Sequence, residues 1–164
     1  MEVQDWNMMQ RKLEHTARKF LMEAYGMELL IPVVINPRLK STFGRFIHRA
    51  TRRESVRIEM GKNYITHYDW KNIYETLIHE CIHHALYEKG LPHRDGQKTF
   101  EDELVKHGSH STGTNKYRGK VVVYKCTHEG CATEFIRKRK LAKNRTYTCG
   151  RCSSRIKFIG EKIV

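Results

Sequence analysis

No stretch of the 164 residues is apolar over anything near the roughly 20 positions that a bilayer-spanning helix needs. The start, Met1-Glu2-Val3-Gln4-Asp5, has no basic segment leading into an apolar one. A membrane protein is therefore not expected; a soluble cytoplasmic one is, nucleoid-associated if the source is prokaryotic or a phage. Cysteine is scarce and odd in number, five in all with four between positions 126 and 152, which argues against a disulfide framework and for metal binding in a reducing compartment. Internal repeats and long low-complexity segments are lacking. Acidic residues are few: 18 against 31 Lys and Arg, a formal net charge of +13 with histidine neutral. The 39% hydrophobic content suffices for a modest core, so general disorder is not expected either.

The missing acid is localised. Positions 1–115 hold 17 basic and 15 acidic residues, whereas positions 116–164 hold 14 and 3, a surplus of 11 in 49 residues. The join, Gly108 to Gly119, is rich in Gly, Ser, Thr and Asn, the composition of a linker. Two domains are read from this, residues 1–112 and 113–164.

In the first, apolar residues recur three or four apart from Trp6 to Ala24, predicting an amphipathic helix that stops at Gly26. Strands are expected over 28–35, interrupted by Pro32, over 45–49, and around Val56, Ile58 and Met60. Helices are expected over about 69–89, with Asp69 as N-cap and Gly90 beyond the end, and over about 96–107. The fold class is α+β: helix, small antiparallel sheet, helix, helix.

The second helix carries His79-Glu80-Cys81-Ile82-His83, the HExxH pattern. At about 100° per residue the two histidines lie about 40° apart on adjacent turns, so both imidazoles can reach one Zn²⁺, with Glu80 beside them. Trp70, Ile73, Tyr74, Leu77, Ile78, Cys81, Ile82 and Ala85 form an apolar stripe roughly opposite, on which Cys81 is a buried small hydrophobe. A catalytic zinc needs a third protein ligand. His93, in the turn after the helix, is the leading candidate, and Glu101, Glu103 and His107 are its rivals. With three ligands the zinc would acidify a water that Glu80 deprotonates, which is the chemistry of peptide-bond hydrolysis.

In the last third, Cys126-x4-Cys131 and Cys149-x2-Cys152, 17 residues apart among short candidate strands, have the layout of a four-cysteine zinc ribbon, with His128 as an alternative to Cys131. Strands are expected over 120–125, 134–140, 145–148 and 155–159. A domain this small scarcely folds without its metal. Arg137, Lys138, Arg139, Lys140, Lys143 and Arg145 supply cations among the aromatic rings of Tyr124, Phe135, Tyr147 and Phe158, a pattern suited to phosphate contacts and base stacking.

Taken together these motifs resemble the SprT-like metalloproteases, the family of bacterial SprT proteins and eukaryotic Spartan. The resemblance is carried by Asn36-Pro37-Arg38-Leu39 with Thr42 and Gly44, by the HExxH helix, by His93-Arg94-Asp95 with Phe100, and by the ribbon; the first knuckle departs from the C-x2-C of many bacterial relatives. It implies a zincin-like protease domain followed by an all-β ribbon, two Zn²⁺ per chain, and His93 as third catalytic ligand. It also implies action on DNA-bound or DNA-crosslinked proteins. The expected partners are DNA, single-stranded or junction-containing rather than a specific duplex sequence, and the proteins on it; the expected state is a monomer. The rival expectations are a non-catalytic nucleic-acid-binding protein with two structural zincs, and a protease whose ribbon docks proteins instead of DNA.

Overall fold

The protein is described by a computed structural model covering residues 5–109 and 118–164. It comprises two compact units, residues 1–116 and 117–164; the boundary read at 112/113 falls outside the described residues.

In the first unit the Asp5 carboxylate accepts the backbone N–H groups of Asn7 and Met8, and α1 (Trp6–Tyr25) runs until Gly26, whose φ of 60° ends it. Leu13, Ala17 and Leu21, four apart, form its buried face. Strands β1 (Val33–Asn36), β2 (Gly44–Arg49) and β3 (Glu54–Gly61) form a sheet in the order β1-β3-β2. A short helix α2 (Lys62–His67) leads to α3 (Trp70–Glu88), capped by Asp69, and α4 (Lys98–Lys106) follows.

The arrangement is α+β, but the sheet is not purely antiparallel as expected. β1 pairs with β3 in parallel, while β2 pairs with it antiparallel. The reason lies in β3: Ile58 to Gly61 are all buried, so this strand takes the centre and both neighbours pair with it. The strand expected from residue 28 begins only at Val33, after Pro32, whose carbonyl still accepts Ile58 N–H at 3.0 Å. Helix α2 was not anticipated; six residues are too few to display a period, and burial of Tyr64 and Ile65 holds it.

Helix α3 is buried on more than one side. Ile73, Leu77, Cys81 and Ala85 enter a core with α1 and the sheet, whereas Ile78, Ile82 and Leu86 join Phe100 and Leu104 of α4 in a second cluster. The expected polar face opposite the apolar stripe is therefore covered, and the HExxH side chains are enclosed by α4 on one flank and β2 on another.

One buried charge braces the sheet. Glu59, 1% exposed, accepts from Asn36 Nδ2 (2.8 Å), Arg45 Nε (2.7 Å) and Arg57 Nε (2.6 Å). Burial works to raise its pKa, but these donors outweigh burial and hold the carboxyl below its ordinary range. A depressed carboxyl pKa contributes stability at neutral pH that is lost as pH falls below about 4.5. Glu59→Ala is expected to cost about 2–3 kcal/mol at pH 7 and much less at pH 3, measured by denaturant unfolding at the two pH values.

The second unit is an antiparallel sheet in the order β5-β4-β6, built from β4 (Lys120–Cys126), β5 (Glu134–Arg137) and β6 (Ile156–Ile163). β5 stops short of the expected residue 140. The strand expected over 145–148 is reduced to one bridge, Thr148 to Arg155, because the chain there turns into the second cysteine pair. Among the described residues no helix is long and apolar enough to cross a membrane.

Candidate metal centres

Two groups of side chains have the spacing of metal donors. In the first unit, His79 Nε2 and His83 Nε2 face each other at 3.0 Å, and Asp95 Oδ1 lies 3.1 Å from the former and 3.7 Å from the latter. Donors held at 2.0–2.1 Å by one tetrahedral zinc stand about 3.4 Å apart, so this trio fits. Helix α3 sets the histidine pair by its period, and α4 backs it: the Phe100 ring stacks on His83 at 4.0 Å and meets His79 edge-on at 5.1 Å.

Glu80 is 5% exposed and does not belong to the trio. Its carboxylate accepts the backbone N–H of Phe46 on β2. Burial first, and then the Asp95 charge, push its pKa up to about 8. A bound divalent cation opposes both effects. Gly44 makes this approach of β2 to α3 possible: a Cβ there would stand 3.0 Å from Thr76 Cγ2 and 3.1 Å from Glu80 Cγ.

The ligand-type side chain that the turn brings beside the histidine pair is not the leading candidate of the sequence. The turn after α3 brings Asp95 to the histidines, while the His93 ring packs on His48 and Tyr87 at 5.4 and 5.1 Å. The rivals are engaged elsewhere. Glu101 accepts Gly96 N–H (2.8 Å), Glu103 accepts the Tyr25 hydroxyl (2.7 Å), and His107 packs on Phe20 and Tyr25. Asp95 lies two positions after His93, and the left-handed Gly96 (φ 79°) bends the chain just beyond it. Asp95 is itself a ligand-type residue; its place in the turn was the only signal in the sequence. Cys81 is fully buried in the core, and its thiol pKa is raised by that burial.

In the second unit, Cys126, Cys131, Cys149 and Cys152 converge, with Sγ–Sγ distances of 3.4 Å (Cys126 to Cys152) and 3.7 Å (Cys131 to Cys149). Thiolates at 2.3 Å from one tetrahedral zinc lie about 3.8 Å apart, so this group fits as well. Each pair sits on a tight knuckle. His128 N–H points to Cys126 Sγ and Arg151 N–H to Cys149 Sγ, and the residues after the second cysteines, Ala132 and Ser153, are left-handed. The Thr133 hydroxyl, 3.1 Å from Cys131 Sγ, favours the thiolate and helps bring that thiol's pKa down to about 6. His128 stands outside the group of four.

The cations singled out from the sequence divide between two adjoining hollows. Lys140, Lys143, Arg145 and Tyr147 line a cavity of about 420 Å³ together with Tyr124, Arg155 and Phe158. Arg137, Lys138 and Arg139 line its neighbour, which shares Lys140 and Tyr147. Lys140 lies over the Phe158 ring and also pairs with Glu161 at 3.0 Å. Phe158 was counted among the aromatics of this unit from the sequence, but only the fold shows it and Arg155 at one cavity.

The sequence model of the SprT-like family matches residues 7–113, which contain the whole histidine site. The chain belongs to the SprT-like family. Proteins named SprT-like are its relatives over nearly their full lengths. That of Bacillus velezensis is 27% identical over 152 residues, 90% of this chain and 97% of the relative. That of Geobacillus kaustophilus is 26% identical over 154 residues, covering 91% and 98%, and one from Bacillus cereus is 23% identical over 156 residues, covering 93% and 97%. The similarity to these SprT-like proteins extends beyond the matched family region into the cysteine unit.

Proposed function

We propose that the chain is a zinc-dependent endopeptidase with a zincin-like catalytic unit, acting on proteins bound or crosslinked to DNA, and that its ribbon holds the DNA. The observation that carries this reading is the enclosed Glu80 carboxylate, oriented by Phe46 N–H beside three converging metal donors. Zinc held there would polarise the scissile carbonyl and acidify the attacking water. His79 and His83 would hold the metal from one helix, with a third donor from the following turn. Glu80 takes the proton of the attacking water on its carboxylate and passes it to the leaving nitrogen.

Cys126, Cys131, Cys149 and Cys152 would hold a second, structural Zn²⁺. The aromatic and cationic cavity beside it supports the DNA reading: Tyr124, Tyr147 and Phe158 offer stacking surfaces, and Lys140, Lys143, Arg145 and Arg155 offer phosphate contacts. Such a surface favours unpaired bases over a specific duplex sequence. Substrate choice then follows from proximity on DNA.

The test incubates the full chain with a protein crosslinked to DNA, with and without chelator, and with the same protein free of DNA. Cleavage lost to chelator and at least about tenfold faster on the DNA-bound protein is expected; cleavage indifferent to DNA sinks the proximity mechanism. Lys143→Ala with Arg145→Ala should weaken single-strand binding roughly tenfold and flatten its salt dependence, read by fluorescence anisotropy across a salt series.

A further inference from the structure

The 91–96 turn offers two residues of ligand type, and their surroundings separate them. Asp95 presents Oδ1 to both histidine Nε2 atoms, at 3.1 and 3.7 Å, from a side chain otherwise 62% exposed. His93 lies behind the pair. Its carbonyl accepts the N–H of His83 Nδ1, the ring nitrogen opposite the one that joins the donor group. Its own ring stands edge-on to His48 at 85° and to Tyr87 at 79°, and its Nε2 is buried without a hydrogen-bond partner.

We propose that Asp95 is the third protein ligand of the catalytic metal and that His93 is a positioning residue, its carbonyl setting the His83 tautomer and its ring anchoring the turn that carries Asp95. The proposal rests on the reading of His79 and His83 as metal ligands and deepens it. A carbonyl acceptor at Nδ1 keeps the proton there and leaves the Nε2 lone pair for the metal. An exposed aspartate on a loose turn would lose much conformational freedom on ligation; the ring wedged between β2 and α3 has already restricted that turn. The His93 Nε2 makes no hydrogen bond, so a phenyl ring can replace the imidazole there without orphaning a partner. Two imidazoles and a carboxylate also give a donor set with one negative charge, which suits Mn²⁺ and Co²⁺ as well as Zn²⁺.

The experiment measures zinc retained by the full chain under increasing chelator, together with the visible spectrum of the Co²⁺-loaded chain. The sulfur-ligated metal of the second unit, which has its own charge-transfer bands, normalises the metal count in every variant, and helical circular dichroism reports that the first unit, which holds the long helices α1 and α3, is folded. Asp95→Asn should lose the histidine-bound metal at chelator concentrations about 100-fold below those the wild type withstands. His93→Phe should retain it within about threefold and keep the wild-type Co²⁺ spectrum, whereas His93→Ala, without the anchoring ring, should weaken it about tenfold. Loss of the metal in His93→Phe, or its full retention in Asp95→Asn, overturns the proposal. A wild-type chain that takes only the sulfur-ligated metal overturns the reading of the histidine pair itself, and the proposal with it.

Discussion

Glu80→Gln is expected to lower the rate of protein cleavage by about 10²- to 10⁴-fold while the metal content stays at the wild-type value. The amide matches the carboxylate in shape and can still accept Phe46 N–H through its oxygen, so the close contacts with Gly44 and Thr76 need not change. It cannot take a proton from water. Steady-state cleavage and metal analysis on the same preparation check both halves; cleavage within a few-fold of wild type removes Glu80 from the chemistry. The substitution also has a stability consequence in the metal-stripped chain. Burial raises the Glu80 pKa from 4.5 to about 8, so the fold favours the neutral acid. That contribution is present below pH 4.5 and is lost as pH rises through about 8. Glu80→Gln removes the dependence, and at pH 9 the metal-stripped variant should exceed the metal-stripped wild type by about 2–4 kcal/mol, a difference that vanishes near pH 5. Thermal melts followed by helical circular dichroism at the two pH values would read it.

The second large effect is expected at the ribbon. Cys149→Ser should unfold residues 118–164 and leave the first unit intact. Cys149 is 1% exposed at the centre of its knuckle, and the apolar core beside it amounts to little more than Val121, Val122, Val123 and Tyr124. Structural zinc in small domains supplies roughly 10–16 kcal/mol of apparent folding free energy, whereas four such side chains contribute about 6–12 kcal/mol, which the conformational entropy of about 45 ordered residues outweighs. In an amide correlation spectrum, resonances of 118–164 should collapse to random-coil positions while those of α1 and α3 stay dispersed. Single-strand affinity should fall with them. A dispersed second unit in this variant would show that the sheet does not need four thiolates.

His79, Glu80 and His83 were legible because a helix is a local object: its period places residues i, i+1 and i+4 without knowledge of anything else in the chain. The four cysteines were legible for a similar reason, two short knuckles that each bring a pair together on their own. The approach of Asp95 to the histidines was hidden because a turn has no period, and nothing local says which of residues 93 and 95 will face them. The same limit applied to β1, whose parallel pairing depends on which strand is buried most deeply, and to helix α2, which stands only because Tyr64 and Ile65 pack against neighbours distant in sequence.

The apolar stripe of α3 was also read correctly, Ile78 and Ile82 included, yet the face that carries His79 and Glu80 is covered as well. Phe100 and Leu104 supply that cover, and in doing so place an aromatic ring against both histidines. By itself the sequence determined the family, the α+β class, the histidine pair with its glutamate, and the basic character of the cysteine unit, all of which follow from local spacing and composition. Only the tertiary structure decided which residue of the 91–96 turn meets the histidines, how deeply Glu80 is enclosed, and which cations share a cavity with aromatic rings. Those depend on contacts between segments remote in the chain, where burial and hydrogen-bond satisfaction outweigh local propensity.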